Sequence, residues 1–142
     1  MNIKIAAIPT LHLANTLIPE LSPAYPLKRY QEQLTNVKHL GIVAEIDGEI
    51  AGFKVGYALS DTHFYSWMGG VVPAFRRRGV AKALAIYQEN WCKAQGFQKL
   101  SMKTRNNCRN MLLFAVQNDF LFTKVEHKGE MADYRIYLEK ML

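Results

Sequence analysis

Val71-Val72-Pro73-Ala74-Phe75-Arg76-Arg77-Arg78-Gly79-Val80-Ala81-Lys82-Ala83-Leu84 is the stretch on which the fold turns. Two β-branched residues end a strand, Pro73 breaks it, and after Gly79 the apolar spacing changes. Val80, Leu84, Tyr87, Trp91 and Ala94 recur at intervals of four and three, one stripe of an amphipathic helix, and Gly96 supplies its C-cap. A helix start of this kind carries N–H groups with no intrahelical acceptor and a partial positive charge. Pyrophosphate oxygens accept such donors. Gly79 and the small Ala81 let phosphates approach the main chain without a bulky side chain in the way.

Upstream, His63 to Val72 reads as a strand. Gly41 to Ile46 and Glu49 to Leu59 are two more, joined at Asp47-Gly48, a pair suited to the positive φ angles of a type I′ turn. Met1 to Ile8 alternates as a first strand, and Thr10 is the expected cap of a helix running to about Leu17, before Pro19. Ser22 to Pro26 is a loop and Leu27 to Leu34 a second short helix. Downstream, Phe97 to Thr104 alternates as a strand, Asn110 to Gln117 is helical, and Phe120 to Val125 and Tyr134 to Leu138 are strands linked around Gly129. Strand, crossover helix, strand implies parallel pairing of segments 63–72 and 97–104. The expected fold class is α/β in one domain over residues 1–142. It has a mixed, mostly antiparallel sheet of six or seven strands, flanked by about four helices.

The chain has 142 residues, enough to bury a core without staples, and is 49% hydrophobic and 21% charged. Cys92 and Cys108 have neither CxxC nor Cys/His metal spacing, so free thiols are expected, with no metal. The apolar stretch from Ile3 to Leu21 is broken by Pro9, His12, Asn15 and Pro19, too interrupted for a signal peptide or membrane span. A cytoplasmic protein is expected, with no membrane partner. The net charge of +6 calls for an anionic partner. Arg76, Arg77, Arg78 and Lys82 concentrate that charge at the strand-to-helix turn.

At this turn the sequence resembles the GNAT superfamily of N-acetyltransferases. Their signature runs Arg or Gln, any two residues, Gly, any residue, then Gly or Ala. Arg76, Gly79 and Ala81 match it, with Val71-Val72-Pro73 in the usual preceding place. The segment Val43 to Phe53 looks like the family's first hairpin, and Asn118-Asp119-Phe120 stands where Gly-Phe is common. The resemblance implies that acetyl-CoA is the cosubstrate and an amine the acceptor. It implies that Arg76, Arg77, Arg78, Gly79, Val80, Ala81 and Lys82 hold the diphosphate, and that Val71 and Val72 offer main-chain groups to the pantetheine arm. Asn106 or Asn107 resembles the asparagine that contacts that arm.

Two features common in the family are missing. The tyrosine that protonates the departing thiolate is replaced by Ala115, and the strand 63–72 holds no carboxylate to act as base. A thiol with pKa about 8.5 leaves as thiolate at pH 7 at a cost of only about 2 kcal/mol. An amine with pKa about 10.4 needs about 4.6 kcal/mol to become neutral, so the missing base matters more. Candidate replacements are Glu45, Asp61, His63, Tyr65 and Tyr134. His63 has a suitable intrinsic pKa, and Tyr65 lies near the equivalent of the missing carboxylate. The ordinary readings of these residues are a surface histidine, a solvated Glu45 beside a hairpin and a packing tyrosine.

The main expectation is an acyltransferase that moves an acetyl group to a primary amine of a small molecule or peptide in a ternary complex. The alternative is a non-catalytic acyl-CoA-binding sensor. A nucleic-acid-binding role is weakest, because no second basic stripe or recognition helix exists. A homodimer is compatible with the sequence, although no seam defines one.

Overall fold

The computed structural model describes residues 1–142. Its elements in chain order are β1 (Asn2–Ile5), α1 (Ile8–Thr16), α2 (Leu27–Leu34), β2 (His39–Ile46), β3 (Glu49–Ala58), β4 (His63–Val71), α3 (Val80–Ala94), β5 (Lys99–Arg105), α4 (Arg109–Gln117), β6 (Leu121–Glu126) and β7 (Arg135–Met141). Short 3-10 turns at Pro19–Leu21, Pro73–Phe75 and Met131–Asp133 complete it. The expected α/β architecture is present, with seven strands and four α-helices.

One sheet has the order β1-β2-β3-β4-β5-β7-β6. Neighbours are antiparallel except β4 and β5, which run parallel as the strand–helix–strand pattern requires. Asp47 and Gly48 adopt φ of 51° and 78°, the values a type I′ hairpin needs. One core layer packs α3 against the sheet through Ile42, Ala44, Phe64, Val80, Leu84, Cys92 and Leu100. The other packs α1 and α2 on the opposite face through Leu11, Ala14, Tyr30, Leu34, Val43, Phe53 and Val55. Alternate residues of the central strands therefore enter different layers.

Several boundaries differ from the sequence reading. Helix α1 begins at Ile8, capped by Ala7 rather than Thr10, because Pro9 sits in its first turn where a missing N–H costs nothing. Strand β1 therefore stops at Ile5, whose side chain is exposed. Strand β7 runs on to Met141, held by its register with Lys99. On α3 the fully buried row is Val80, Leu84, Gln88 and Cys92, spaced by four; Tyr87 and Trp91 flank it half-buried and Ala94 is exposed. Gly96 follows the C-cap Gln95 in the left-handed region, φ 87°.

Candidate functional site

The site begins where β4 and β5 part. Their pairing covers only His63 with Lys99, Phe64 with Leu100, and Tyr65 with Ser101. From Ser66 onward β4 stays with β3 while β5 follows β7, which opens a wedge in the middle of the sheet. A β-bulge at Trp67, which has no partner between the pairs Val55–Met68 and Gly56–Ser66, bends β4 at the apex.

Main-chain polarity along the wedge follows from the β3 ladder. Val72 donates its N–H to Ala51 O at 2.8 Å and accepts from Phe75 N at 2.9 Å, so both its groups are used internally. Successive residues of a strand direct their N–H groups to opposite edges, so the N–H of Val71 faces the wedge. The Val71 carbonyl accepts from Arg76 Nε at 3.2 Å.

Beyond Pro73 the chain turns into α3. Arg77 at φ 62° and Gly79 at φ 78° are both left-handed, and a Cβ on Gly79 would meet nothing within 4 Å. Ala83 is the first residue of the turn to donate inside the helix, to Gly79 O at 3.0 Å. The N–H groups of residues 77–82 have no acceptor in the protein, so six donors are free at and just before a positive helix end. Geometry and space suit a diphosphate.

The basic side chains divide. Arg76 is engaged at the surface, pairing with Glu20 at 2.5 Å and holding that carboxyl below its usual pKa through the hydrogen bond. Arg78 lies over the Phe75 ring, 5.7 Å from its centroid. Lys82 donates to Asn118 Oδ1 at 2.7 Å, joining α3 to the end of α4. Arg77 and Arg78 are left exposed beside the free N–H groups.

Asn106 and Asn107 stand at the far wall. Their N–H groups donate to Tyr134 O and Ala132 O, at 2.8 and 3.0 Å, and Asn106 Nδ2 reaches Met131 O at 3.1 Å. They tie the β5–α4 turn to the β6–β7 connection. Asp119 has φ 68°, occupying the conformation that a glycine there would adopt more easily.

Of the five acid–base candidates, Asp61 lies in the β3–β4 connection and Tyr134 just before β7, and the other three do not form one cluster. Glu45 lies on β2, two strands from β4, in an ion pair with Lys4 at 2.7 Å. His63 lies at the closed end of the wedge, its Nε2 2.6 Å from Ser101 Oγ. Burial and the nearby Lys99 hold its pKa below the usual value, against an opposing pull from Glu139. Tyr65 sits at the apex, on the face covered by α1 and α2. Burial pushes its phenol up to about 12, so it is a proton donor and not a base near neutral pH. Around it runs an aromatic wall: Tyr57 meets Tyr65 and Trp67 edge-on, at 5.5 and 5.7 Å, and Tyr25 stacks on Trp67 at 5.9 Å. Arg29 lies 5.6 Å from both the Tyr25 and Trp67 ring centroids.

Sequence reasoning missed Lys54 and Gln88. Both line a small cavity on the α3–α4 side of the wedge, with Ser66, Leu100, Met102 and Phe114. Burial lowers the Lys54 amine to about 8. Gln88 is 1% exposed, and neither polar atom of its amide has a partner. Lys54 interrupts an otherwise apolar and small-residue run in β3, the one signal in the sequence that pointed to it. No helix is long and apolar enough to cross a membrane, and no group of three His, Cys, Asp or Glu side chains is poised to hold a metal.

Residues 9–117 match the model of the acetyltransferase (GNAT) family. No curated protein matches the sequence. Among solved structures, Ard1 from Thermoplasma volcanium is 18% identical with a TM-score of 0.83, over 99% of this chain and 97% of that one. A GNAT family acetyltransferase from Elizabethkingia anophelis, solved with acetyl-CoA bound, is 20% identical with a TM-score of 0.75, over 99% of both chains. An aminoglycoside 6'-N-acetyltransferase complexed with coenzyme A is 13% identical with a TM-score of 0.80, over 99% of this chain and 97% of that one. Since the family match runs from α1 to the end of α4 and takes in both the parting strands and the turn after them, the chain belongs to the acetyltransferase (GNAT) family.

Proposed function

We propose that this chain transfers the acetyl group of acetyl-CoA to a primary amine of a small molecule or peptide, by direct attack within a ternary complex. The observation that carries the reading is the continuity of two features: six free N–H groups at residues 77–82, and a wedge between β4 and β5 leading away from them. Arg77, Arg78 and the amides of Gly79, Val80, Ala81 and Lys82 would hold the diphosphate. The N–H of Val71 would serve the pantetheine arm, and Asn106 and Asn107 would flank its path. A main-chain donor aimed at the thioester oxygen stabilises the charge that develops during attack, typically by roughly 3 kcal/mol. The acceptor would approach from the α1–α2 face, where Tyr25, Tyr57, Tyr65 and Trp67 form an aromatic wall and the Arg29 cation against it disfavours the ammonium form of an amine.

Calorimetric titration of acetyl-CoA into wild type, Arg78→Glu and Gly79→Glu tests the site. A loss of at least about tenfold in affinity is expected in both variants. Equal affinity in all three would remove the site. Coenzyme A release with a panel of amines then tests transfer. The second reading, a non-catalytic acyl-CoA sensor, draws on the buried Ala115 and the carboxylate-free β4. Tight binding with release by no amine would select it.

A further inference from the structure

Lys54 belongs to β3, yet its side chain opens onto the wedge beyond β4. The strand between them carries Gly69 opposite Lys54, and a Cβ built on Gly69 would come within 3.3 Å of Lys54 Cγ. The bare glycine is therefore what lets the lysine stem cross β4. Phe53 and Val55 pack under α1, so alternation directs Lys54 to the α3–α4 side. There it shares a cavity with Leu100 and Met102 of β5 and Met111 and Phe114 of α4. Lys54 has no ion pair and no hydrogen bond. The buried Gln88 amide, with neither polar atom satisfied, lines the same cavity. Buried polar groups in proteins almost always have partners, so the unpartnered Gln88 amide, with the unpaired Lys54 amine lining the same cavity, marks a place where a polar ligand group completes them.

Resting on the acetyl-CoA reading above, we infer that Lys54 is the proton donor to the departing thiolate. As the acceptor nitrogen forms its bond to the acetyl carbon, the C–S bond breaks and its electron pair goes to sulfur. Lys54 Nζ gives sulfur a proton, the acceptor nitrogen loses its extra proton to solvent, and Lys54 is recharged from solvent. Atoms and charge balance with no further reactant. The donor stands in for the tyrosine that Ala115 replaces, from the opposite wall of the wedge.

The charge environment agrees. Ser66 on β4, Gln88 on α3 and Asn118 after α4 face the cavity as neutral groups, and β5 and α4 contribute apolar side chains. The one carboxylate is Glu89 on α3, already engaged by Lys140 at 3.0 Å and Lys93 at 3.6 Å. Lys54 is thus a half-buried cation without a counter-ion, which burial brings to a pKa of about 8. That is close to a free thiol's value of about 8.5, and proton transfer is most efficient between matched groups.

The experiment titrates the thiol of coenzyme A bound to wild type, Lys54→Met and Lys54→Arg, following thiolate absorbance in the ultraviolet. In wild type and Lys54→Arg, the cation should lower the bound thiol's pKa by about one unit relative to Lys54→Met, a tenfold difference in thiolate fraction at fixed pH. In turnover, kcat should fall by about a hundredfold in Lys54→Met and in Lys54→Arg, whose guanidinium holds its proton, with KM for acetyl-CoA little changed. Identical thiol titrations in wild type and Lys54→Met, with coenzyme A bound by both, would overturn the assignment while leaving the acetyl-CoA site intact. Failure of wild type to bind coenzyme A would overturn the site itself and the role of Lys54 with it. Should Lys54→Met fail to fold, Lys54→Gln takes its place in the same comparison.

Discussion

His63 Nε2 and Ser101 Oγ lie 2.6 Å apart across the short parallel ladder that precedes the wedge. This contact clamps the closed end of the opening, where only three residue pairs join β4 to β5. Ser101→Ala should cost about 1 kcal/mol by leaving the imidazole unpaired, as measured by chemical denaturation. Because the folded-state pKa of His63 lies below its ordinary value of 6.5, the unfolded chain binds more protons in the interval between them. Stability contributed there rises with pH and is lost on acidification through that interval. His63→Gln should flatten this acid limb, and an unchanged limb would show that His63 does not titrate in the fold.

Gly52 sets how closely α3 approaches the sheet. A Cβ there would stand 2.8 Å from the Gly70 carbonyl oxygen and 3.0 Å from Val80 Cγ1, at the first turn of α3. Gly52→Ala should destabilise by about 1–3 kcal/mol through overpacking, because a backbone oxygen cannot swing aside. By shifting the residues that present the free amides, it should also weaken acetyl-CoA binding. Calorimetry on the folded fraction would separate the two effects, and full affinity would show that the turn moves independently of Gly52.

Much of this was legible in the sequence, for identifiable reasons. The change of period after Gly79 marks the crossover helix, and Asp47-Gly48 admits few turn types. Such local signals decide element order, and the parallel crossover then decides which strands must lie near one another. The most buried row of α3 was not legible, because a polar Gln88 stands where an apolar residue was expected and displaces the apparent stripe toward Tyr87 and Trp91. The start of α1 was misread because Thr10 is a good cap in isolation, whereas Pro9 already sits inside the first turn. The break that Lys54 makes in the β3 run was not enough to place it, because a lysine alternating with apolar residues reads as solvent-facing. In a central strand covered by helices on both faces there is no such side.

The Gln88 amide offers a test of strain held for function. With both polar atoms buried and unpartnered, Gln88→Leu should raise stability by about 1–2 kcal/mol, since an apolar side chain of similar size removes the desolvation penalty. The gain should be accompanied by weaker coenzyme A binding if the amide meets the ligand. A stability loss on thermal denaturation would mean that the amide is satisfied in solution.

Lys54 makes the corresponding prediction for pH. Its folded pKa of about 8 lies below the 10.5 of an exposed lysine. Below pH 8 both states are protonated and the burial penalty on the charged amine is fully present. Between about 8 and 10.5 the unfolded chain holds a proton that the folded chain has released, so stability rises with pH and the penalty fades. Lys54→Met should therefore be more stable than wild type at pH 7, by at most on the order of 3 kcal/mol, and the advantage should shrink through pH 8 to 10. Cys92 and Tyr65, both pushed up to about 12 by burial, drive stability the other way at high pH. They are present in both proteins and cancel in the difference. Paired denaturation curves across this range give the answer: a difference that does not vary with pH would mean that the Lys54 amine is solvated and titrates as it does in the unfolded chain.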